Sequence, residues 1–352
     1  MRSLLILGFA ALVPAARAES QTAPAAPAAP PRSAPAAAAE TTLKLRVAHV
    51  YDENFPWHKA YERFRDVLRN RSRGTIEVQI FPNAALGTEK DYVSYLRQGV
   101  LDVATVSTAA VATLVPEVSF FDLMYLFRDH DHWRRSLDGK LGRHMAEVIR
   151  RSTGKSAPGF EVLGYWSGSP SNIVSRTRGY QTVKDLEGLK IRSQGVGVQI
   201  DQWKLVGAQP VTIPYDGVLT AFKEGTLDAT PSVVPYAFSM KFHEVAPHIS
   251  ETEHTFIVRI TVMSGHTWNK LTAEQQGWVT EAAREATSVA RTLELEQTNA
   301  LTELMKTKHG VKFYTFRDKD LLREKTQPVR QQFAQQHGLT ELLAGLEAEW
   351  KR

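Results

Sequence analysis

From Thr272 to His309 the chain runs without a proline and with a single glycine, Gly277. Thr272 and Gln275 have capping-box spacing and Gly310 supplies a stop, so the stretch predicts one helix over 272–309. At ~1.5 Å per residue such a helix is on the order of 55 Å long, more than one small lobe needs. A helix of that length can lie across two lobes.

The rest of the chain is sized for two. Arg2, the apolar run Leu4 to Val13 and Ala16-Arg17-Ala18 read as a cleavable export signal over residues 1–18. Its apolar core is too short to cross a bilayer, and no later stretch approaches ~20 uninterrupted apolar residues. Residues 19–42, with Ala-Pro-Ala-Ala-Pro-Ala-Ala-Pro-Pro at 23–31, cannot bury a core and read as a disordered spacer. About 310 residues remain, beyond the size at which one hydrophobic core keeps growing. The chain has no cysteine, which excludes disulfides, thiolate zinc sites, thiol catalysis and a lipid-anchored cysteine. Without Arg2 and Arg17 the net charge falls from +5 to +3, too mild and dispersed for nucleic-acid binding.

Two α/β patterns follow one another. Leu43, Leu45 and Val47 alternate as a strand, Trp57, Tyr61, Phe64 and Leu68 share a helix face, and Ile76, Val78 and Ile80 alternate again. A helix over Glu89–Gln98 and a buried strand over Leu101–Ser107 complete a βαβαβ unit. In the second half, a short helix between Thr182 and Gly188 precedes a strand at Leu189–Arg192. A helix ending at Val206, a strand at Val211–Ile213, a helix over Asp216–Glu224 and a strand from Leu227 follow. Gly99-Val-Leu-Asp102 in the first unit is echoed by Gly225-Thr-Leu-Asp228 in the second. The expected fold is α/β, with lobe I over 43–167 and part of 256–300, and lobe II over 168–255 and part of 300–335. Leu339, Leu342, Leu346 and Trp350 lie at helical spacing and predict a C-terminal helix over 339–352 that docks by that face.

Catalytic signatures are absent: there is no Gly-x-Ser-x-Gly, no Walker loop and no His-Glu-x-x-His. Gly195-Val-Gly197 lacks the third glycine of a dinucleotide loop and reads as a turn. His130 and His132 have no third ligand in view and read as a polar turn, and His49 as a satisfied histidine at a strand end. Arg192 stands at the carboxyl end of a predicted strand, beside a helix start, where open α/β sheets place ligands. A guanidinium there suits a carboxylate through two parallel hydrogen bonds; a solvated loop arginine is the competing reading. Tyr165, Trp166, Trp203, Tyr215, Tyr236 and Phe238 supply aromatic surface in the same half, most of it expected in the core.

Several blocks in order carry a resemblance: Phe81-Pro-Asn-Ala-Ala-Leu-Gly87, Val115-Pro-Glu117, Leu126-Phe-Arg-Asp129, Asp185-Leu-Glu-Gly-Leu-Lys-Ile-Arg192, Val206-Gly-Ala-Gln-Pro210 and Lys241-Phe-His-Glu-Val245. On these blocks the chain resembles the substrate-binding subunits of tripartite ATP-independent periplasmic (TRAP) transporters, the DctP-like group. The resemblance implies a two-lobed periplasmic binding protein with a long helix spanning both lobes. Such a protein captures an organic acid in the periplasm and hands it to membrane permease subunits; no enzyme activity, cofactor or metal is expected. It also implies that Arg192 clamps the ligand carboxylate, that Tyr215 packs on the ligand, and that Glu89 reaches the cleft. Trp166 is placed near the hinge, and a monomer is expected rather than a dimer.

Three positions depart from the family pattern. Asn172 stands where many dicarboxylate binders carry a second arginine, Ser232 where asparagine is common, and Ser107 where sugar-acid binders carry an acid. With one basic clamp, a second buried carboxylate would lack a partner at a cost of several kcal/mol. A sugar acid or C4-dicarboxylate is therefore not expected; the expectation is a monocarboxylate with an apolar or aromatic body, bound by Arg192, Asn172, Tyr215, Ser232, Glu89, Ser107 and Trp166. An exported enzyme acting on small organic acids, or a ligand-sensing protein, would be the competing functions.

Overall fold

The computed structural model describes residues 42–350; the signal-like segment and nearly all of the Ala/Pro-rich spacer lie outside the described residues. The first βαβαβ unit is β1 (Leu43–Ala48), α1 (Pro56–Arg71), β2 (Ile76–Phe81), α2 (Glu89–Gln98) and β3 (Val103–Ser107). Three helices, α3 (Thr108–Ala112), α4 (His130–Asp138) and α5 (Lys140–Thr153), lead to a 15-residue strand, β4 (Glu161–Ser175). The second unit is β5 (Lys190–Ser193), α6 (Gly197–Leu205), β6 (Gln209–Thr212), α7 (Val218–Glu224) and β7 (Ala229–Ser232). Then come α8 (Val234–Ser239), the 16-residue β8 (His248–Met263), α9 (Gly265–Trp268), α10 (Ala273–Lys308), β9 (Lys312–Thr315), α11 (Lys319–Gln336) and α12 (Thr340–Trp350).

All nine strands of the described residues belong to one sheet, ordered β2-β1-β3-β8-β4-β7-β5-β6, with β9 also on β8. The parallel strands β2, β1 and β3 form one end and β7, β5 and β6 the other. Between them β4 and β8 run antiparallel, each long enough to serve both ends. The carboxyl half of β8 pairs with β3, while the carboxyl half of β4 pairs with β7. Neither long strand was expected from the sequence, since Gly164, Gly168 and Pro170 disrupt the two-residue period in β4. Register with β8 slips between Ser167 and Pro170, where Ser167 and Gly168 take φ of 76° and 100°. This is a β-bulge at the point where the two halves of the sheet meet.

The sequence echo has a structural counterpart. Gly99 and Gly225 both end helices in the left-handed conformation, at φ 71° and 72°. Leu101 and Leu227 are then buried, and Asp102 and Asp228 clamp the neighbouring strand in the same way. Asp102 Oδ2 accepts from the Arg46 amide at 2.7 Å and Asp228 Oδ2 from the Lys190 amide at 3.2 Å. In each case the aspartate amide donates back, to the Arg46 and Lys190 carbonyls at 3.1 and 3.0 Å.

The long helix α10 spans 36 residues, with the reciprocal Thr272–Gln275 capping box in place. Small residues, Ala282, Ala283, Ala286 and Ala290, form its buried face, letting it approach α1 and β4 closely. Farther along it packs on α8, so one rod touches elements of both sheet ends. The short helix expected between Thr182 and Gly188 is one 3-10 turn at Lys184–Leu186, and α11, which contains Pro328, had no counterpart in the sequence reading.

Candidate functional site

The carboxyl ends of β3 and β5 bring residues of both lobes together. Arg192, third residue of β5, is only 6% exposed. Its Nε donates to the Ile213 carbonyl at 3.1 Å, and its guanidinium lies 5.0 Å from the centre of the Tyr215 ring. Among the described residues no carboxylate lies within ion-pair distance of it. Burial pulls its pKa down to about 10, with Tyr215 partly opposing, so it stays charged at neutral pH. A buried cation without a protein anion is costly unless something else completes it.

The neighbours of Arg192 are polar. The Tyr215 and Ser232 hydroxyls are 2.6 Å apart, and Ser232 stands opposite Asn172 in the β4–β7 ladder. Asn172 Oδ1 accepts from the Glu253 amide at 3.0 Å, which fixes the side chain. Thus Arg192, Tyr215, Ser232 and Asn172 form one group on the second lobe.

Glu89 and Ser107 form the group on the first lobe. Glu89 is the first residue of α2, next to its Thr88 cap, and its Oε2 accepts from the Ser107 amide at 3.1 Å. The Ser107 hydroxyl is used locally, capping α3 by accepting from the Ala110 amide at 3.2 Å. Glu89 Oε1 accepts from Arg259 Nη1 at 2.9 Å. Sequence reasoning missed Arg259, a lone charge in the apolar run Phe-Ile-Val-Arg-Ile-Thr-Val-Met of β8. That contrast was the available signal, because a charge in a buried strand needs a partner or a ligand.

Arg259 sits between rings, 5.5 Å from Trp57 and 5.3 Å from Tyr236. Burial works against its charge, but Glu89, Tyr51 and Tyr236 together raise its pKa above the ordinary arginine value. Its buried Nε has no partner. The Arg259 charge lowers the proton affinity of Arg192, which places the two guanidinium groups in one electrostatic neighbourhood. Asp122 adds a carboxylate there: Oδ1 accepts from Thr108 at 2.9 Å and Gln199 at 3.3 Å, while Oδ2 is buried without a partner. Burial pushes its pKa up to about 6, with Arg259 among the groups opposing.

Trp166 stands opposite Arg259 in the β4–β8 ladder but gives its indole N–H elsewhere. Its ring is 1% exposed, packs on Tyr61 and Trp57, and its Nε1 donates to Thr287 of α10 at 3.0 Å. The three histidines weighed in the sequence are packed, but each keeps one buried ring nitrogen without a hydrogen-bond partner among the described residues, so His49 is only half satisfied. His132 Nδ1 accepts from the Arg128 amide, His130 stacks on Trp133, and His49 is buried 3.2 Å from His58. Among the described residues no three His, Asp or Glu side chains are arranged to hold a metal ion. Surface cavities of about 470 and 460 Å³ lie elsewhere, against the α11–α12 turn and beside α8, and neither contains Arg192 or Arg259.

A two-lobed α/β fold that buries a charged arginine with no carboxylate partner among the described residues fits the class of solute-binding proteins. The family described as bacterial extracellular solute-binding protein, family 7 (DctP), matches residues 47–336, and the chain belongs to it as a TRAP transporter solute-binding protein. Members of this family bind substrates for transporters and are not enzymes. The chain is 30% identical to the 2,3-diketo-L-gulonate-binding periplasmic protein YiaO of Escherichia coli K12, over 78% of this chain and 82% of that one. A TRAP solute-binding protein of Bradyrhizobium sp. BTAi1, solved with D-galacturonate, superposes with TM-score 0.80 at 30% identity, covering 87% of this chain and 99% of that one. One from Pseudomonas putida F1, solved with D-glucuronate, gives 0.79 at 29% identity, with coverage of 87% and 97%.

The expected apolar-bodied monocarboxylate needs correction. It rested on counting one basic group, whereas Arg259, paired with Glu89, is a second in the same electrostatic neighbourhood, and the neighbours solved with ligand hold sugar acids. An apolar body there would strand the unpartnered Asp122 Oδ2 and Arg259 Nε.

Proposed function

We propose that this protein captures a sugar acid of the hexuronate type in the periplasm and delivers it to TRAP permease subunits. The observation that carries the reading is Arg192, buried over Tyr215 without a protein anion. Its guanidinium pairs with the ligand carboxylate, and Tyr215 stacks on the ligand body. Glu89, Asp122, Asn172 and Ser232 accept or donate to hydroxyls, and Arg259, held by Glu89, supplies the remaining donors. The uronates bound by the Bradyrhizobium and Pseudomonas proteins, and the diketo sugar acid named for the Escherichia coli relative, support this class. The periplasmic setting rests on the family and on the signal-like residues 1–18. Closure over the ligand is favoured only by as much as the ligand prefers the closed form.

Calorimetry with D-glucuronate, D-galacturonate, 2,3-diketo-L-gulonate, succinate and benzoate tests the reading. A sugar acid should bind at one site per chain and outcompete benzoate. Arg192→Ala should weaken it by roughly a hundred- to several-thousand-fold, the effect of stranding a buried carboxylate at about 3–5 kcal/mol. Tighter binding of benzoate, or unchanged affinity in the variant, would overturn the proposal.

A further inference from the structure

One buried carboxylate lies outside the recognition scheme. Glu294, near the middle of α10, has no exposed surface and accepts three hydrogen bonds. Trp57 Nε1 donates at 3.0 Å, Ser167 Oγ at 2.5 Å and Ser169 Oγ at 3.1 Å. Burial raises its pKa, with the three donors and then Arg259 opposing. No ion pair compensates it among the described residues, and the alanines along the same helix face show that close packing needs no acid there. A carboxylate kept in such a place costs stability and buys position.

What it positions is visible in its donors. Trp57 belongs to α1 in the first lobe and carries Arg259 on its ring. Ser167 and Ser169 flank Gly168 in the β4 bulge, one residue beyond Trp166, which faces Arg259 across the β4–β8 ladder. The Tyr236 hydroxyl, whose ring forms the other wall around Arg259, donates to Ser167 Oγ at 3.4 Å. Both walls of the Arg259 slot therefore lead to one carboxylate on the long helix.

We infer that Glu294 is a positioning residue for ligand capture, fixing Trp57 and the β4 bulge so that Arg259 and Glu89 are held ready in the cleft. The inference deepens the proposed function and rests on it for the identity of the acid.

Glu294→Met, which keeps the bulk and removes the acceptors, and Glu294→Gln, which keeps a carbonyl for Trp57, test it in the full chain. D-Glucuronate affinity, measured well below the unfolding midpoint, should fall roughly tenfold in Glu294→Met and recover to within about threefold of wild type in Glu294→Gln. Without ligand, hydrogen exchange of the Ser107 amide, which donates to Glu89, should quicken at least about tenfold in Glu294→Met, with the Leu45–Val47 amides unchanged. A lowered melting temperature with both affinity and Ser107 exchange unchanged would overturn the inference. If wild type binds none of the acids, the functional reading fails, and the exchange measurement still decides the role of Glu294. Should Glu294→Met not fold, the Ser167→Ala, Ser169→Ala double variant removes two of the three donors and carries the same two readouts.

Discussion

Arg192 is charged, buried and short of an anion, while Asp122, near Arg259, is half-buried with one buried oxygen unpartnered among the described residues. These two groups pull stability in ways that pH can separate. The Asp122 pKa is raised by burial from 3.8 to about 6, so the folded state favours the protonated form. Its contribution to stability is greatest below about pH 4 and is lost as pH rises through 6. Wild type should therefore lose roughly 1–3 kcal/mol relative to Asp122→Asn between pH 4 and pH 7, read from urea unfolding of both proteins. Parallel pH profiles would remove Asp122 as a buried titrating group. Arg192 was legible in the sequence because it ends a short, regular strand within a recognisable block. Arg259 carried a signal, a lone charge in an apolar run, but its partner Glu89 is 170 residues away and nothing local announces the pair. For Trp166 the position beside the bulge could be read, but not that Thr287 of α10 takes its indole N–H.

Among the elements, the two βαβαβ units and α10 were readable because each rests on local signals: alternation, helical faces, capping boxes and the two left-handed glycines. The long strands β4 and β8 were not, since their residues answer to neighbours on both sides, and a bulge resets the alternation of β4. That bulge gives a prediction of its own. Gly168 has φ of 100°, and a Cβ there would sit 3.0 Å from both His130 and Trp133. Gly168→Ala should cost about 1–3 kcal/mol through backbone strain and contact with the packed Trp133 ring. Chemical denaturation measures the loss; a variant as stable as wild type would mean that the bulge relaxes freely. Gly188, also left-handed at φ 73° but with open space around it, makes the control, where only the backbone strain applies.

For the molecule as a whole, acid should be destabilising. His49 and His254 are held to pKa values of about 3 by burial, helped at His49 by the nearby His58, against 6.5 when exposed. Both are neutral in the fold, so their contribution is fully present above about pH 6.5 and is lost as pH falls toward 3. Unfolding free energy should drop on the order of 4 kcal/mol from pH 7 to pH 4, after Asp122 offsets part of the histidine effect. A flat or rising profile across that window would show the histidines to be charged or accessible in the fold. Finally, the sharing of β4 and β8 means that the chain has no cut that yields a finished half. Severed in the exposed turn at Lys155 and Ser156, the leading piece would own β1 to β3 but not the ribbon that seals their edge, and the trailing piece would keep that ribbon with β7 and β9 beside it but with the β8 edge stripped of β3. Under the proposed function, opening and shutting would be a flexing of paired strands under a common rod, and each lobe depends on the other for its completion.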